Sequence, residues 1–152
     1  MSNKFSFTIE GGSELAAKLK AMGKEADRVL LDAVTAGADV MQRAAAANAS
    51  QISSDLSAGV VVKTSREEDG SVELAVGPDP ERFWGLFWEF GADSHSIDPK
   101  TAKALQFVNG EFAARVKDHP GIPETPWLTP AFEEKKEVAQ EAIAEALRKA
   151  LL

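Results

Sequence analysis

From Leu15 onward, apolar and small residues recur at spacings of three and four: Leu15, Leu19, Met22, Ala26, Leu30, Ala33 and Val34, with Gly37 and Met41 prolonging the stripe. That period places them on one face of an α-helix, and Ser13 stands where an N-cap belongs. Continued without interruption to Asn48, the helix would hold about 36 residues and reach roughly 54 Å. A compact body of 152 residues has a radius of gyration of only about 15 Å. Such a helix either projects beyond its own domain or breaks. Gly23 is the expected break, because glycine gives up the most backbone freedom inside a helix. The segment after Gly23 is still a long helix around which the rest must pack.

The remaining segments supply strands, a second helix and an arm. Phe5, Phe7 and Ile9 alternate with polar residues before Gly11-Gly12, the pattern of a short half-buried strand. Residues 48–59 are small and polar and read as an exposed, mobile loop. Val60–Thr64 and Val72–Val76 flank the acidic turn Glu67-Glu68-Asp69-Gly70, which predicts an antiparallel hairpin. Residues 81–90 predict a short aromatic helix, with Pro80 in its first turn and Gly91 as its stop. Within the irregular stretch 92–124, Ala104–Val108 and Phe112–Val116 are joined through Asn109-Gly110, the strongest short hairpin turn, and predict an extended arm. Thr129 as cap and Pro130 in the first turn open a C-terminal helix whose stripe is Ala139, Ala142, Ile143, Ala146, Leu147, Ala150 and Leu151. The alanine run Ala44 to Ala47 reads as good helix former. The expected fold is a single α+β domain over 1–152: a small antiparallel sheet packed by a long helix and a C-terminal amphipathic helix, with an extended hairpin arm.

Chemistry is harder to find. With Lys+Arg 17 against Asp+Glu 24 the net charge is −7, a sign that repels phosphate backbones and argues against free-standing nucleic-acid binding. The absence of cysteine removes disulfides, zinc–thiolate sites and thiol nucleophiles, and fits synthesis in a reducing cytoplasm. No apolar run nears the roughly 20 residues that span a bilayer, and Met1–Phe5 lacks the core of a signal peptide. No glycine-rich phosphate cradle is present, so no cofactor is expected. His95 and His119, with Glu89 and Asp93, sketch a small metal-dependent hydrolase, but their spacing matches no ligand motif. Ser94-His95 and Ser53-Ser54-Asp55 lack the setting of a catalytic serine. The chain is therefore expected to be no enzyme and to bind no metal. Its distinctive feature is aromatic: Phe83, Trp84, Phe87, Trp88 and Phe90 fall within eight residues, and Trp127 and Phe132 flank the last helix start. Some of these rings fill a core; a helix apolar on all sides also needs cover on its other side.

Four segments in order resemble a known family. They are Gly11-Gly12-Ser13-Glu14-Leu15 with Leu19 and Gly23; Val76-Gly77-Pro78; Trp84-Gly85-Leu86-Phe87-Trp88-Glu89-Phe90-Gly91; and His119-Pro120-Gly121-Ile122-Pro123 leading into Pro126-Trp127-Leu128-Thr129-Pro130-Ala131-Phe132. Together they resemble the HK-ninety-seven-type phage tail-component family, named for that phage's gene product ten. The third is similar to the family's Tyr-Gly-x-Phe-x-Glu-Phe-Gly, and the fourth to its Pro-Phe-Leu-Arg-Pro-Ala-Phe, with Trp127 and Thr129 substituted. Members usually carry Pro-x-x-Thr-Gly-x-Leu-Arg before the first hairpin; here Ser50 to Leu56 keeps only the leucine and small polar residues.

The resemblance implies a non-enzymatic protein of the virion neck, a tail-completion or head–tail joining component. It implies a homo-oligomeric ring, six copies favoured and twelve compatible, contacting connector or stopper proteins and tail terminator or tube proteins. Genomic DNA would be only passing cargo in the channel, and no membrane is involved. A tail terminator ring is the alternative within the same class. Trp84, Gly85, Phe87, Glu89, Phe90 and Gly91, with Pro126, Trp127, Leu128, Pro130 and Phe132, are the expected structural and assembly residues.

Overall fold

A computed structural model describes residues 12–68 and 71–151. The strand expected at Phe5–Ile9, and residues 69 and 70 of the acidic turn, lie outside them. Helix α1, Gly12–Met22, and helix α2, Lys24–Ala49, meet at Gly23, whose φ of 61° lies in the left-handed region. The break therefore falls at the expected glycine, the residue that adopts this conformation without a Cβ clash. Helix α1 starts at Gly12, so Ser13 lies within the helix rather than capping it.

Strands β1, Val60–Glu68, and β2, Ser71–Pro78, form an antiparallel pair running from Val60 opposite Pro78 to Glu68 opposite Ser71, with an irregularity between Thr64 and Arg66. The hairpin is longer than its apolar segments alone suggested. After a short 3-10 turn at Pro80–Arg82 come helix α4, Gly85–Phe90, and later the C-terminal helix α5, Leu128–Leu151. The fold is mixed helix and sheet, with small antiparallel sheets and a long C-terminal helix.

Helix α5 lays its stripe along α2, which also packs against both β1 and β2. Ala33, Ile143 and Leu147 form one cluster; Ala45, Ala49, Leu56, Val60, Trp127 and Ala131 form another. Early α2 thus meets late α5 and late α2 meets early α5, so the two helices are antiparallel. Ala33, Gly37, Met41, Ala45 and Ala49 are all buried at four-residue intervals along α2. Four of these five side chains are a methyl group or less, which brings the helix backbones close. At Gly37 an added Cβ would stand 2.7 Å from Ile143. Ala45, within the run that read simply as helix former, is a packing residue of this seam.

The stretch 48–59 differs most from the sequence reading. Its first two residues complete α2, and Ser54–Ala58 forms helix α3, capped by Ser53, whose hydroxyl accepts from the Asp55 and Leu56 amides at 3.1 and 3.4 Å. Leu56 is 0% exposed. Ser57 Oγ donates to the Ala46 carbonyl at 2.8 Å, fastening α3 to α2. One buried leucine among small polar residues carries no periodicity, so the segment reads as loop until its partner Gly85 is known.

Residues 92–122 form the arm as nested antiparallel pairs. A bridge joins Ala92 to Ile122; then β3, His95–Ile97, pairs with β6, Val116–His119, and β4, Leu105–Gln106, pairs with β5, Phe112–Ala113. The turn at the tip contains Asn109-Gly110, with Gly110 at φ 85°. Leu56→Ala is expected to lower unfolding stability by about 3 kcal/mol, the usual cost of emptying a filled leucine site. Urea denaturation checks this; a change below about 0.5 kcal/mol would mean that the segment behaves as a free loop.

Candidate assembly site

Every α-helix begins with amide groups that have no partner within the helix, and α5 begins inside the core. Its first four are those of Trp127, Leu128, Thr129 and Pro130, of which proline has none to satisfy. Glu89, at the end of α4 and only 2% exposed, takes the other three. Its Oε2 accepts from the Trp127 and Leu128 N–H groups, each at 2.7 Å, and its Oε1 accepts from Thr129 N–H at 2.8 Å. The cap therefore comes from a residue 38 positions away rather than from Thr129, the expected local cap. A carboxylate here also meets the positive end of the helix dipole.

Trp127, 1% exposed, is fixed at three further points. Its indole Nε1 donates to the Gly85 carbonyl at 2.9 Å, its carbonyl accepts from Asn48 Nδ2 at 3.1 Å, and its ring lies in the cluster with Leu56 and Ala45. A Cβ at Gly85 would run into Leu56 Cδ1, so any larger residue there would push this buried leucine out of place. Thr125 N–H donates to the Trp88 carbonyl at 2.7 Å, so the chain entering α5 is bonded to α4 before the cap begins. Upstream, Arg82 donates to Asp55 at 2.9 and 3.1 Å and to Asp79 at 2.7 Å, joining the 3-10 turn to α3.

At the root of the arm, Gly91 has a φ of 69° and Gly121 one of 80°. A Cβ on Gly121 would collide with the Ala92 carbonyl, so the two limbs of the arm leave the body in close contact. The arm thus grows directly from the end of the helix that holds the cap.

The expected site residues divide into two groups. Gly85, Glu89, Trp127 and Leu128 are brought together in the clamp, with Trp84 packed on the same cluster and Gly91 ending α4. Phe87 and Phe90 turn outward at 45% and 60% exposure, next to Phe83 and Leu86. Pro126 and Pro130 are exposed, and Phe132 is half-buried on the first turns of α5. Asn48, Leu56 and the Arg82–Asp55–Asp79 group were missed, since each acts through a partner far away in sequence.

Of the residues of the hydrolase alternative, Glu89, His95 and His119 make other contacts, and Asp93 is exposed. Both Glu89 oxygens are held by amides. His95 and His119 lie across β3 and β6 with ring centroids 5.0 Å apart. His119 Nδ1 accepts from Gly121 N–H at 3.2 Å, and His95 Nδ1 lies 2.8 Å from the Asp93 carbonyl oxygen. Among the described residues no group of three His, Cys, Asp or Glu is arranged to hold a metal ion. Ser53 caps α3, and Asp55 pairs with Arg82.

Burial alone pushes the Glu89 carboxyl up, but the Thr129 side chain and the three amides together hold it below its ordinary value of 4.5. A depressed native value means stability that is present above the unfolded value and lost as pH falls through the lower native one. Glu89→Ala is expected to cost about 3 kcal/mol, because it orphans one buried and two partly buried amides, and Glu89→Gln about 1–2 kcal/mol, because one acceptor remains. Denaturant titrations from pH 7 to pH 3 check both. The parent protein should lose stability below about pH 4.5, and Glu89→Gln should show a shallower acid loss.

The sequence model of one family, HK97-gp10-like, described as a bacteriophage HK97-gp10 tail component, matches residues 13–91. That span runs from α1 through α4 and ends at the C-cap of the helix carrying Glu89. No curated protein and no solved structure matches the chain.

Proposed function

This chain belongs to the HK97-gp10-like family of bacteriophage tail components, and from that premise we propose that it completes the tail at the virion neck as a ring around the DNA channel. Six copies are favoured and twelve are compatible. One face of the ring meets connector or stopper proteins and the other meets tail terminator or tube proteins, with the genome passing through the lumen. The observation that supports this reading is the uneven placement of large apolar side chains. Phe83, Leu86, Phe87 and Phe90 on and beside α4, and Phe107, Val108 and Phe112 at the arm tip, are exposed while the clamp beneath α4 is fully satisfied. A protein that acted alone would leave these groups wet.

The charge suits the place. A ring of chains carrying −7 each repels DNA and lets it pass without adhering. Among the described residues no helix is long and apolar enough to cross a membrane. The proposal contains no chemical step: Glu89 serves as a cap, Asp55 as an ion-pair partner, and His95 and His119 in turn contacts.

Deleting the coding region from a phage that carries it should yield filled heads and tails that fail to join or to finish. Supplying the protein in trans should restore joined particles. Electron microscopy of lysates reads both outcomes. Normal, joined virions in its absence would overturn the reading. The purified protein should give rings in negative stain, alone or on isolated necks, and light scattering gives the copy number.

A further inference from the structure

The turn at the arm tip carries chemistry of its own. Asn109 and Gly110 are adjacent and exposed, and Gly110 has a φ of 85°. Gly110 N–H donates to the Phe107 carbonyl at 2.9 Å and Phe107 N–H donates to the Glu111 carbonyl at 2.8 Å, so a tight loop, Val108 to Gly110, closes the arm. Inside that loop the Asn109 side chain is held at both of its polar atoms. Its Oδ1 accepts from Glu111 N–H at 3.1 Å, and its Nδ2 donates to Glu111 Oε2 at 2.8 Å. The first of these bonds makes an Asx-turn, which closes a small ring of atoms containing both the Asn109 Cγ and the Gly110 nitrogen.

That ring brings an electrophile beside a nucleophile. The N–H donated to Oδ1 draws electrons from the side-chain carbonyl and stabilises the negative charge that an attack on Cγ puts on that oxygen. Gly110 has no Cβ to obstruct its nitrogen, and nothing lies within 4 Å of where a Cβ would stand. Asn48 is the internal contrast. Its Nδ2 donates to the Trp127 carbonyl at 3.1 Å, and the nitrogen that follows it belongs to Ala49, a helical residue of 0% exposure. The same side chain there has neither the turn nor an accessible neighbour.

We propose that Asn109 is a self-modification site, at which the folded arm tip converts this amide to a carboxylate with water as the only co-reactant. The Gly110 nitrogen gives up its proton and bonds to the Asn109 Cγ. The Cγ–Nδ2 bond breaks, and Nδ2 leaves as ammonia after taking a proton through solvent, so that a cyclic imide remains. Water then opens the imide at either carbonyl carbon, its hydroxyl bonding to the carbon and its hydrogen returning to the Gly110 nitrogen. Opening at Cγ gives aspartate; opening at the main-chain carbon gives isoaspartate, in which the chain runs through Cβ and Cγ. Both products lose the Nδ2 donor and set a second carboxylate beside that of Glu111, where like charges repel. Isoaspartate also lengthens the main chain before Gly110, out of step with the two bonds that close the loop. The modified tip is looser, and Phe107, Val108 and Phe112, which it exposes, lose their fixed arrangement.

The test incubates the native full-length protein in heavy-oxygen water at pH 7 and at pH 9, then digests it with trypsin under mildly acidic conditions. Cleavage after Lys103 and Arg115 releases peptide 104–115, which carries Asn109. Mass spectrometry should find two products that have exchanged the amide for a heavy-oxygen carboxylate, one of them a substrate for an isoaspartyl methyltransferase. Both should form faster at pH 9, because the attacking nitrogen must be deprotonated. Conversion at Asn48 should be slower by at least about tenfold, a barrier gap of about 1.4 kcal/mol. The same chain unfolded in urea separates the loop from the dipeptide: the native protein should convert at least as fast. No labelled product, or native conversion about tenfold slower than in urea, a barrier raised by about 1.4 kcal/mol, would overturn the proposal, since the loop would then shield Asn109. Amide exchange at Phe107 and Gly110 should be faster in the modified protein; unchanged exchange would overturn the loosening of the tip.

Discussion

A single buried carboxylate holds the architecture together. Glu89 sits at the end of a six-residue helix, 2% exposed, and receives three amide hydrogen bonds from the first turn of a 24-residue helix. An isolated buried charge of this kind would cost several kcal/mol. Here the cost is offset because the helix needs an acceptor at that point as much as the carboxylate needs donors. Pro130 completes the match by lacking the fourth amide. The same contact explains why a short aromatic helix can exist at all: six residues cannot sustain a helix alone, and α4 is held by what it caps.

The clamp organises the chain in two directions. Toward the core, Trp127 is locked by Gly85 and Asn48, which sets the start of α5 against the end of α2 and leaves the small-residue seam to run onward to Ile143 and Leu147. Toward the surface, α4 has its inner side fully engaged and its outer rings exposed, and Gly91 turns the chain into the arm. One helix thus joins the body, the arm and the aromatic face.

Much of this was legible in the sequence, for identifiable reasons. Gly23, the Asn109-Gly110 turn, the β1–β2 hairpin and α5 are local or periodic features, and local sterics decide them. The hidden parts depend on distant partners. Leu56 looked like part of a loop because its neighbours are small and polar; distant partners, Trp127 and Ala131 of the buried cluster and the space left by Gly85, make it a core residue. Glu89 read as a structural residue of its motif and, beside Asp93, His95 and His119, as part of a hydrolase alternative, but nothing local says what it binds; the amides that claim it begin 38 residues later. The alanines of α2 carry no hydrophobic contrast, so a seam built from small side chains resembles ordinary helix. Trp84–Gly91 and Pro126–Phe132 were each marked as structural, but nothing in either segment reveals that they are the two halves of one clamp.

The most direct test of this account is amide hydrogen exchange at Trp127, Leu128 and Thr129, measured residue by residue in the native protein. If Glu89 caps α5 as a buried acceptor, these three amides exchange only through global unfolding and are as slow as the central amides of α2, although they lie in the first turn of a helix, where exchange is normally fast. Exchange at the rate of an ordinary frayed helix start would contradict the account, because the carboxylate would then not be holding the two segments together.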